Sequence, residues 1–320
     1  LVVALVAALA IFLFTTALRP AHPVGFQQVV AADPGHRPIA VDIWYPTDAR
    51  PGFVLVGTSG ERIASNGAVA GAGLPLVVIS HGTGGGPMSH ADTALALASA
   101  GFVVAAPAHT GDNFQDDSLV GTSQWMVDRA RHLSRVTDFM LNGWKDRGHI
   151  DGRRIGVFGF SAGATTALIS VGGVPDLGRI GPQCAAHPEF VCQLGKPGTV
   201  FANPPPLAWT HDARIRAAVV AAPGLGFTFA PSGLSAVKAP VQLWAGTEDH
   251  AVPYATNSGM VRRLLPTPPE FHSGPGAQHT SFLAPCGLGG GPLWGMEAPD
   301  FDRTAFHREF NRTVTAFFKA

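Results

Sequence analysis

Arg154-Ile155-Gly156-Val157-Phe158-Gly159-Phe160-Ser161-Ala162-Gly163-Ala164-Thr165-Thr166-Ala167 is the stretch that decides the fold. Its first half is an apolar run of strand length and its second half is rich in small residues, so it reads as a buried strand that turns at Ser161 into a helix. Glycine stands two residues before the serine and two after it, where so sharp a turn tolerates almost no side chain. Ser161 is thereby presented at the tip of the turn as a candidate nucleophile. With 39 glycines in 320 residues the five-residue pattern is weak by itself. Its weight comes from three further pieces that surround it in a consistent order.

Upstream, residues 74–79 form a continuous apolar run, the mark of a strand buried on both faces, and it ends in Ser80-His81-Gly82-Thr83-Gly84-Gly85-Gly86. Glycines directly after a buried strand let backbone N–H groups approach a ligand. A phosphate cradle would end in Gly-Lys-Ser/Thr, which is absent. The better reading is an oxyanion hole made by the N–H of Thr83 and that of Ala162, the residue after the candidate nucleophile; a purely structural turn is the alternative. His81 reads as an architectural residue of this loop. Downstream, residues 241–245 are another strand, closing in Gly246-Thr247-Glu248-Asp249-His250-Ala251-Val252-Pro253. A carboxylate held by a turn at the C-terminal end of a strand suits the acid of a Ser-acid-His set, and the spacing favours Asp249 over Glu248. The base then follows the acid. His250 adjoins it, His272 ends a short strand and His307 lies on the last helix, which leaves His279 on the loop of residues 274–283.

The rest of the chain supplies one large α/β domain. Residues 26–30 and 39–45, split by Asp33-Pro34-Gly35, predict an antiparallel hairpin at the sheet edge. Residues 46–73 read as a long Gly/Ala/Ser-rich connection. Residues 88–100 are helical, 102–107 form the next buried strand, and 109–117 read as a solvated polar turn whose spacing matches no calcium loop. Met126, Ala130, Leu133, Val136, Met140 and Trp144 recur in steps of three and four, an amphipathic helix over 124–144. From 172 to 212 regular pattern is lost, and this insertion reads as a cap or rim beside Ser161, with a surface excursion as the alternative. Residues 215–222 are a strand and 254–265 a helix, and Phe306, Phe310, Val314 and Phe317 mark the buried stripe of a closing helix over 301–318. Phe160, Trp125 and Trp209 are candidates for the apolar rim of a substrate site.

Cys184 and Cys192 lie eight apart in a Pro/Gly-rich stretch, which suits a local disulfide in an exported protein and leaves Cys286 alone. There is no C-x-x-C pair with a matching histidine set, so zinc is not expected, and the chemistry requires no cofactor. Residues 1–18 carry only Thr15 and Thr16 as polar groups and precede Arg19-Pro20, the layout of a secretory signal or a single membrane anchor. With Leu rather than Met at position 1, the chain is expected to derive from a longer precursor. The expected organisation is a signal or membrane tether plus linker over 1–25 and a catalytic domain over 26–320, exported from the cytoplasm. A formal net charge of zero without any basic run gives no support to nucleic-acid binding.

The turn at Ser161, the loop of residues 80–85, Gly246-x-x-Asp249-x-x-Val252-Pro253 and Gly276-x-x-His279 together resemble the α/β-hydrolase superfamily. Val41-Asp42-Ile43-Trp44-Tyr45-Pro46, with the Ser-His-Gly loop, is similar more narrowly to bacterial dienelactone-hydrolase-like and platelet-activating-factor-acetylhydrolase-like esterases. The resemblance covers residues 26–320. It implies a mostly parallel central sheet with an antiparallel N-terminal hairpin and helices on both faces. It also implies serine esterase chemistry, with Asp249 supporting His279, His279 deprotonating Ser161, and the N–H groups of Thr83 and Ala162 holding the oxyanion. Two departures matter. Dienelactone hydrolases proper use cysteine as nucleophile where this chain has Ser161, which favours simple ester cleavage. In the acetylhydrolases the acid follows the strand after the elbow, and residues 215–222 contain no Asp, which argues against a phospholipid and returns the role to Asp249. Hydrophobic or aromatic esters, small or polymeric, are the expected substrates. A thioesterase or peptidase, or a non-catalytic binding protein of the same fold, are the alternatives.

Overall fold

The computed structural model describes residues 12, 14–56, 59–194, 208–285 and 300–320. Strands β1 (Val24–Ala31), β2 (Ile39–Pro46), β3 (Gly52–Val56) and β4 (Ser59–Ser65) come first, followed by β5 (Leu74–Ser80). Helix α1 (Ala91–Ser99), β6 (Val103–Pro107), α2 (Gln124–Asn142), β7 (Ile150–Phe160), α3 (Ala162–Ser170) and α4 (Ile180–Ala186) follow. The chain closes with β8 (Ile215–Ala221), β9 (Val241–Gly246), α5 (Ser258–Leu264), β10 (Glu270–Gly274) and α6 (Arg303–Lys319). Among the described residues these strands form a 10-stranded sheet in the order β10-β9-β8-β7-β5-β6-β2-β1-β4-β3. The first six in that order run parallel, and β2 joins β6 antiparallel.

The period-two alternation of each central strand feeds two separate cores. On β5, Leu76 and Val78 enter one core while Val77 and Ile79 enter the other; on β8, Val220 and Val219 divide in the same way. Leu133, Val136 and Met140 of α2 cover the first core. Ala94, Leu97 and Ala98 of α1, with Phe310 and Val314 of α6, cover the second. The expected stripes of the long helices are therefore the ones that meet the sheet, and no described helix is long and apolar enough to cross a membrane.

The N-terminal hairpin forms as expected around a turn in which His36 N–H donates to Asp33 O at 2.9 Å and Gly35 takes a φ of 81°. Its position differs from expectation. The hairpin lies inside the sheet, because β4 adds parallel to β1, with Phe26 opposite Ser65, and β3 pairs antiparallel to β4 beyond it. Both of these strands lie in the stretch read as a connection. The reason is chemical: the inward positions of β4 include Glu61, fully buried and accepting a hydrogen bond from Trp44 Nε1 at 3.2 Å, so the strand carries no apolar alternation to detect.

The strand order also creates the site. From β5 the chain crosses to β6 on one side and returns to β7 on the other, so the C-terminal ends of β5 and β7 lie together, with Ser80 paired to Gly159. Such a switch point is where open α/β sheets bind ligands. The glycine-rich loop and the turn at Ser161 are neighbours for this reason.

Candidate active site

Ser161 takes φ 55° and ψ −121°, a backbone conformation that an L-residue with a side chain adopts only under constraint. The constraint is visible in the two flanking glycines. A Cβ on Gly159 would lie 2.1 Å from the carbonyl oxygen of Gly163, and one on Gly163 would lie 2.0 Å from that of Ser80. Strand, turn and helix can pack this closely only without those side chains. Ser161 N–H donates to Ala221 O at 3.0 Å and Ser161 O accepts from Gly224 N–H at 3.1 Å, which locks the tip against the end of β8.

His279 meets this serine from the far side of the sheet's C-terminal edge. Its Nε2 lies 2.9 Å from Ser161 Oγ and its Nδ1 lies 2.7 Å from Asp249 Oδ2. The carboxylate accepts only, so Nδ1 carries the proton and Nε2 is left free to accept from the serine hydroxyl. Asp249 Oδ1 accepts from the N–H of Val252 at 2.8 Å, which aims the other oxygen at the imidazole. The ring of Phe160 lies beneath the imidazole, with centroids 4.7 Å apart. The segment carrying His279 is clamped from α6: Arg303 donates to the carbonyls of Thr280 and Leu283, and His307 Nε2 donates to that of Ser281 at 2.8 Å. The other histidines considered as the base are engaged elsewhere. His272 stacks on Trp244 and bonds Glu270, His307 bonds Asp92, and His250 is exposed beside Glu248.

The glycine-rich loop faces the same serine. Neither Thr83 N–H nor Ala162 N–H has a hydrogen-bond acceptor among the described residues, and both stand at the C-terminal end of the β5–β7 pair. The loop's shape comes from a buried ion pair that sequence reasoning missed. Arg129 and Asp112 are both fully buried. Arg129 reaches the carbonyl of His81, Ser80 Oγ and Thr166 Oγ1 of α3, while Asp112 accepts from Gly84 N–H at 2.7 Å and from Trp125 Nε1. Burial alone would raise the Asp112 carboxyl, but Arg129 and then His81 outweigh it and hold the group below its ordinary range. His81 is architectural, as expected: burial pushes its imidazole down to about 3, Nδ1–H donates to Gly82 O, and Nε2 accepts from His109 N–H. The loop 109–117 is thus not merely a solvated turn. The available signal was Arg129 itself, a charge three residues after Met126 on the apolar stripe of α2.

The apolar rim candidates fare differently. Trp125 is buried among Met126, Ile169 and Leu225 with its indole N–H on Asp112, and Phe160 is buried under His279, so neither opens to a cleft. Both are claimed by packing that the site itself requires. Trp209 is half-buried against the same cluster. The described part of the 172–212 insertion holds α4 and the Cys184–Cys192 disulfide. It reaches the site through Glu189, whose Oε2 accepts from Asn257 Nδ2 at 2.7 Å, and through Phe190 N–H, which donates to Ala251 O. Cys286 and residues 1–11 lie outside the described residues.

A mostly parallel sheet with a strand-serine-helix turn beside its switch point is the α/β-hydrolase fold. The sequence model of the dienelactone hydrolase family matches residues 64–197, a span that includes Ser161 and stops short of Asp249 and His279. Among solved structures, a ferulic acid esterase from Streptomyces cinnamoneus is similar at 20% identity, covering 94% of this chain and 92% of its own with a TM-score of 0.64. A dienelactone hydrolase from Anabaena variabilis is similar at 17% identity, covering 93% of this chain and 98% of its own with a TM-score of 0.54. No curated protein sequence matches. The chain has the α/β-hydrolase fold and over residues 64–197 is similar to the dienelactone hydrolase family, a match that supports a carboxylic ester hydrolase.

Proposed function

We propose that this protein hydrolyses carboxylic esters by two-step acyl transfer at Ser161. The observation that carries the proposal is the unbroken chain from Asp249 through His279 to Ser161, with contacts of 2.7 and 2.9 Å. His279 Nε2 takes the hydroxyl proton as Ser161 Oγ bonds to the ester carbonyl carbon, and Asp249 supports the resulting imidazolium. The N–H groups of Thr83 and Ala162 receive the negative charge on the carbonyl oxygen. His279 then gives its proton to the departing alkoxide, which leaves an acyl-serine. A water molecule, deprotonated by the same nitrogen, attacks the acyl-serine and releases the carboxylic acid.

Hydrophobic or aromatic esters are the substrate class this reading favours, supported by the ferulic acid esterase among the similar structures. The 172–212 insertion serves in it as a rim to the substrate site. Export belongs to the same proposal, since the Cys184–Cys192 disulfide suits an oxidising compartment and residues 1–18 suit a signal or membrane tether.

Labelling with a fluorophosphonate followed by mass spectrometry tests the proposal. A single adduct on Ser161 is expected. Folded protein that takes no adduct would refute the assembled triad and favour a binding role for the fold. A panel of p-nitrophenyl esters run beside an amide and a thioester then separates esterase from peptidase and thioesterase.

A further inference from the structure

We infer that Gly224, in the loop after β8, sets the size of the acyl group that Ser161 accepts; the inference rests on the proposed esterase chemistry. Four glycines lie against the turn at Ser161, and three of them are already closed in. Added Cβ atoms on Gly159 and Gly163 would collide with backbone at 2.1 and 2.0 Å, and one on Gly82 would press on the Phe160 ring at 3.0 Å. Gly224 is different. A Cβ there would sit 3.6 Å from Ser161 Oγ, 3.6 Å from Ala162 N and 3.6 Å from Ser161 C, ordinary contact distances. The position has room for a side chain, and the room it would fill touches both the nucleophile and an N–H assigned to the oxyanion.

The chemistry says which half of an ester uses that space. Once Oγ bonds to the carbonyl carbon and the oxyanion turns to the Ala162 N–H, two substituents remain on that carbon. The alcohol half must reach the proton on His279 Nε2. The three nearest atoms to the Gly224 Cβ position belong to the Ser161–Ala162 backbone and Oγ, with no His279 atom among them. The acyl half falls to Gly224.

The wall is also held rigidly. Ala222 and Leu225 take φ values of 44° and 60°, a strained conformation for residues with side chains that persists only where surroundings impose it. Those surroundings are Trp244 O accepting from Ala222 N–H at 2.9 Å, Ser161 O accepting from Gly224 N–H, Thr165 Oγ1 donating to Gly224 O, and Asn257 Oδ1 accepting from Gly226 N–H at 2.9 Å. A side chain at 224 cannot swing away with its loop.

The test uses Gly224→Ala and Gly224→Val in the full chain. kcat/KM is measured on p-nitrophenyl acetate, butyrate, octanoate and benzoate, and on acetates of methanol, hexanol and benzyl alcohol. Within each variant the ratio of octanoate or benzoate to acetate is the readout, because a ratio is unaffected by the fraction of protein that folds. We expect that ratio to fall at least about tenfold in Gly224→Val, which adds three carbons, and by less in Gly224→Ala, which adds one, in line with what small changes of size command in a tight pocket. An acyl profile parallel to that of the parent protein would overturn the inference, as would a shift confined to the alcohol series. Parent protein that neither labels with fluorophosphonate nor cleaves any ester would overturn the esterase reading, and this inference with it.

Discussion

Ser161 stands at φ 55° because its neighbours leave it no alternative, and that conformation is a stability cost located at the proposed nucleophile. Two substitutions separate the cost from the chemistry. Ser161→Ala is expected to lower esterase turnover by roughly 10³- to 10⁶-fold, as when a member of a concerted triad is removed. Ser161→Gly should be equally inactive yet more stable than Ser161→Ala by about 1 kcal/mol, since glycine adopts positive φ without the Cβ clash. Chemical denaturation of the two variants measures the difference, and equal midpoints would mean the turn is unstrained. The three residues of the proposed triad were legible in the sequence because each sits in a local pattern: Ser161 between two glycines, Asp249 in a turn after a strand, His279 after a glycine-rich approach. Arg129 had no such pattern. Its partners are 17 residues away at Asp112 and 48 away at His81, and only the folded sheet brings them together.

At the scale of elements, that arginine is what joins α2 to the glycine-rich loop and to α3. Removing one partner of a buried ion pair leaves the other charge unmatched, at a cost of roughly 3–5 kcal/mol. Arg129→Met should therefore destabilise the protein by about that amount in urea denaturation and also reduce kcat, because Gly84 N–H and His81 O lose their common anchor. A loss of stability below about 1 kcal/mol would show that the pair does not shape the loop. The disulfide acts over a shorter range. It closes a loop of separation 8, so replacing both cysteines by serine should cost about 2–3 kcal/mol in the loop-entropy picture. Strands were readable where both faces are apolar, as in β5 and β7, and unreadable in β4. There Glu61 occupies an inward position that a pattern search assigns to solvent, and without β4 the hairpin looks like an edge.

The same buried polar groups govern the behaviour of the whole molecule with pH. Burial pushes His90 and His132 down to about 4, and it lowers His81 and His109 as well, with Arg129 adding to the effect on those two. Burial acts on carboxyls in the opposite direction, raising Asp42 to about 6 and Glu61 to about 8. Between pH 4.5 and 6 the unfolded chain binds a proton on each of these four histidines while the folded chain binds one on each of the two carboxyls. The unfolded state thus holds more protons, and stability rises with pH across this window; each proton of difference contributes about 1.4 kcal/mol per pH unit. Above about pH 7 the histidines, whose ordinary value is 6.5, are largely neutral in both states and Glu61 alone remains mostly protonated in the fold, so stability falls as pH rises toward 8. Asp112 and Asp92, whose folded carboxyls are lowered, add stability that is lost only at pH values below this range. The melting temperature should therefore peak near pH 7 and decline on both sides. The histidines lie behind the glycine-rich loop, with Ser80 Oγ to His109 Nε2 at 2.9 Å and His109 Nδ1 to His132 Nδ1 at 3.2 Å, and His90 packs on the other core against Phe158. Acid therefore attacks both layers together, and unfolding should remain a single transition. Glu61→Gln, which keeps an acceptor for Trp44, is expected to remove the alkaline decline and leave the acid limb in place. A parent protein whose melting temperature stays flat from pH 7 to 8, or a variant that declines in parallel with it, would show that Glu61 is not protonated in the fold.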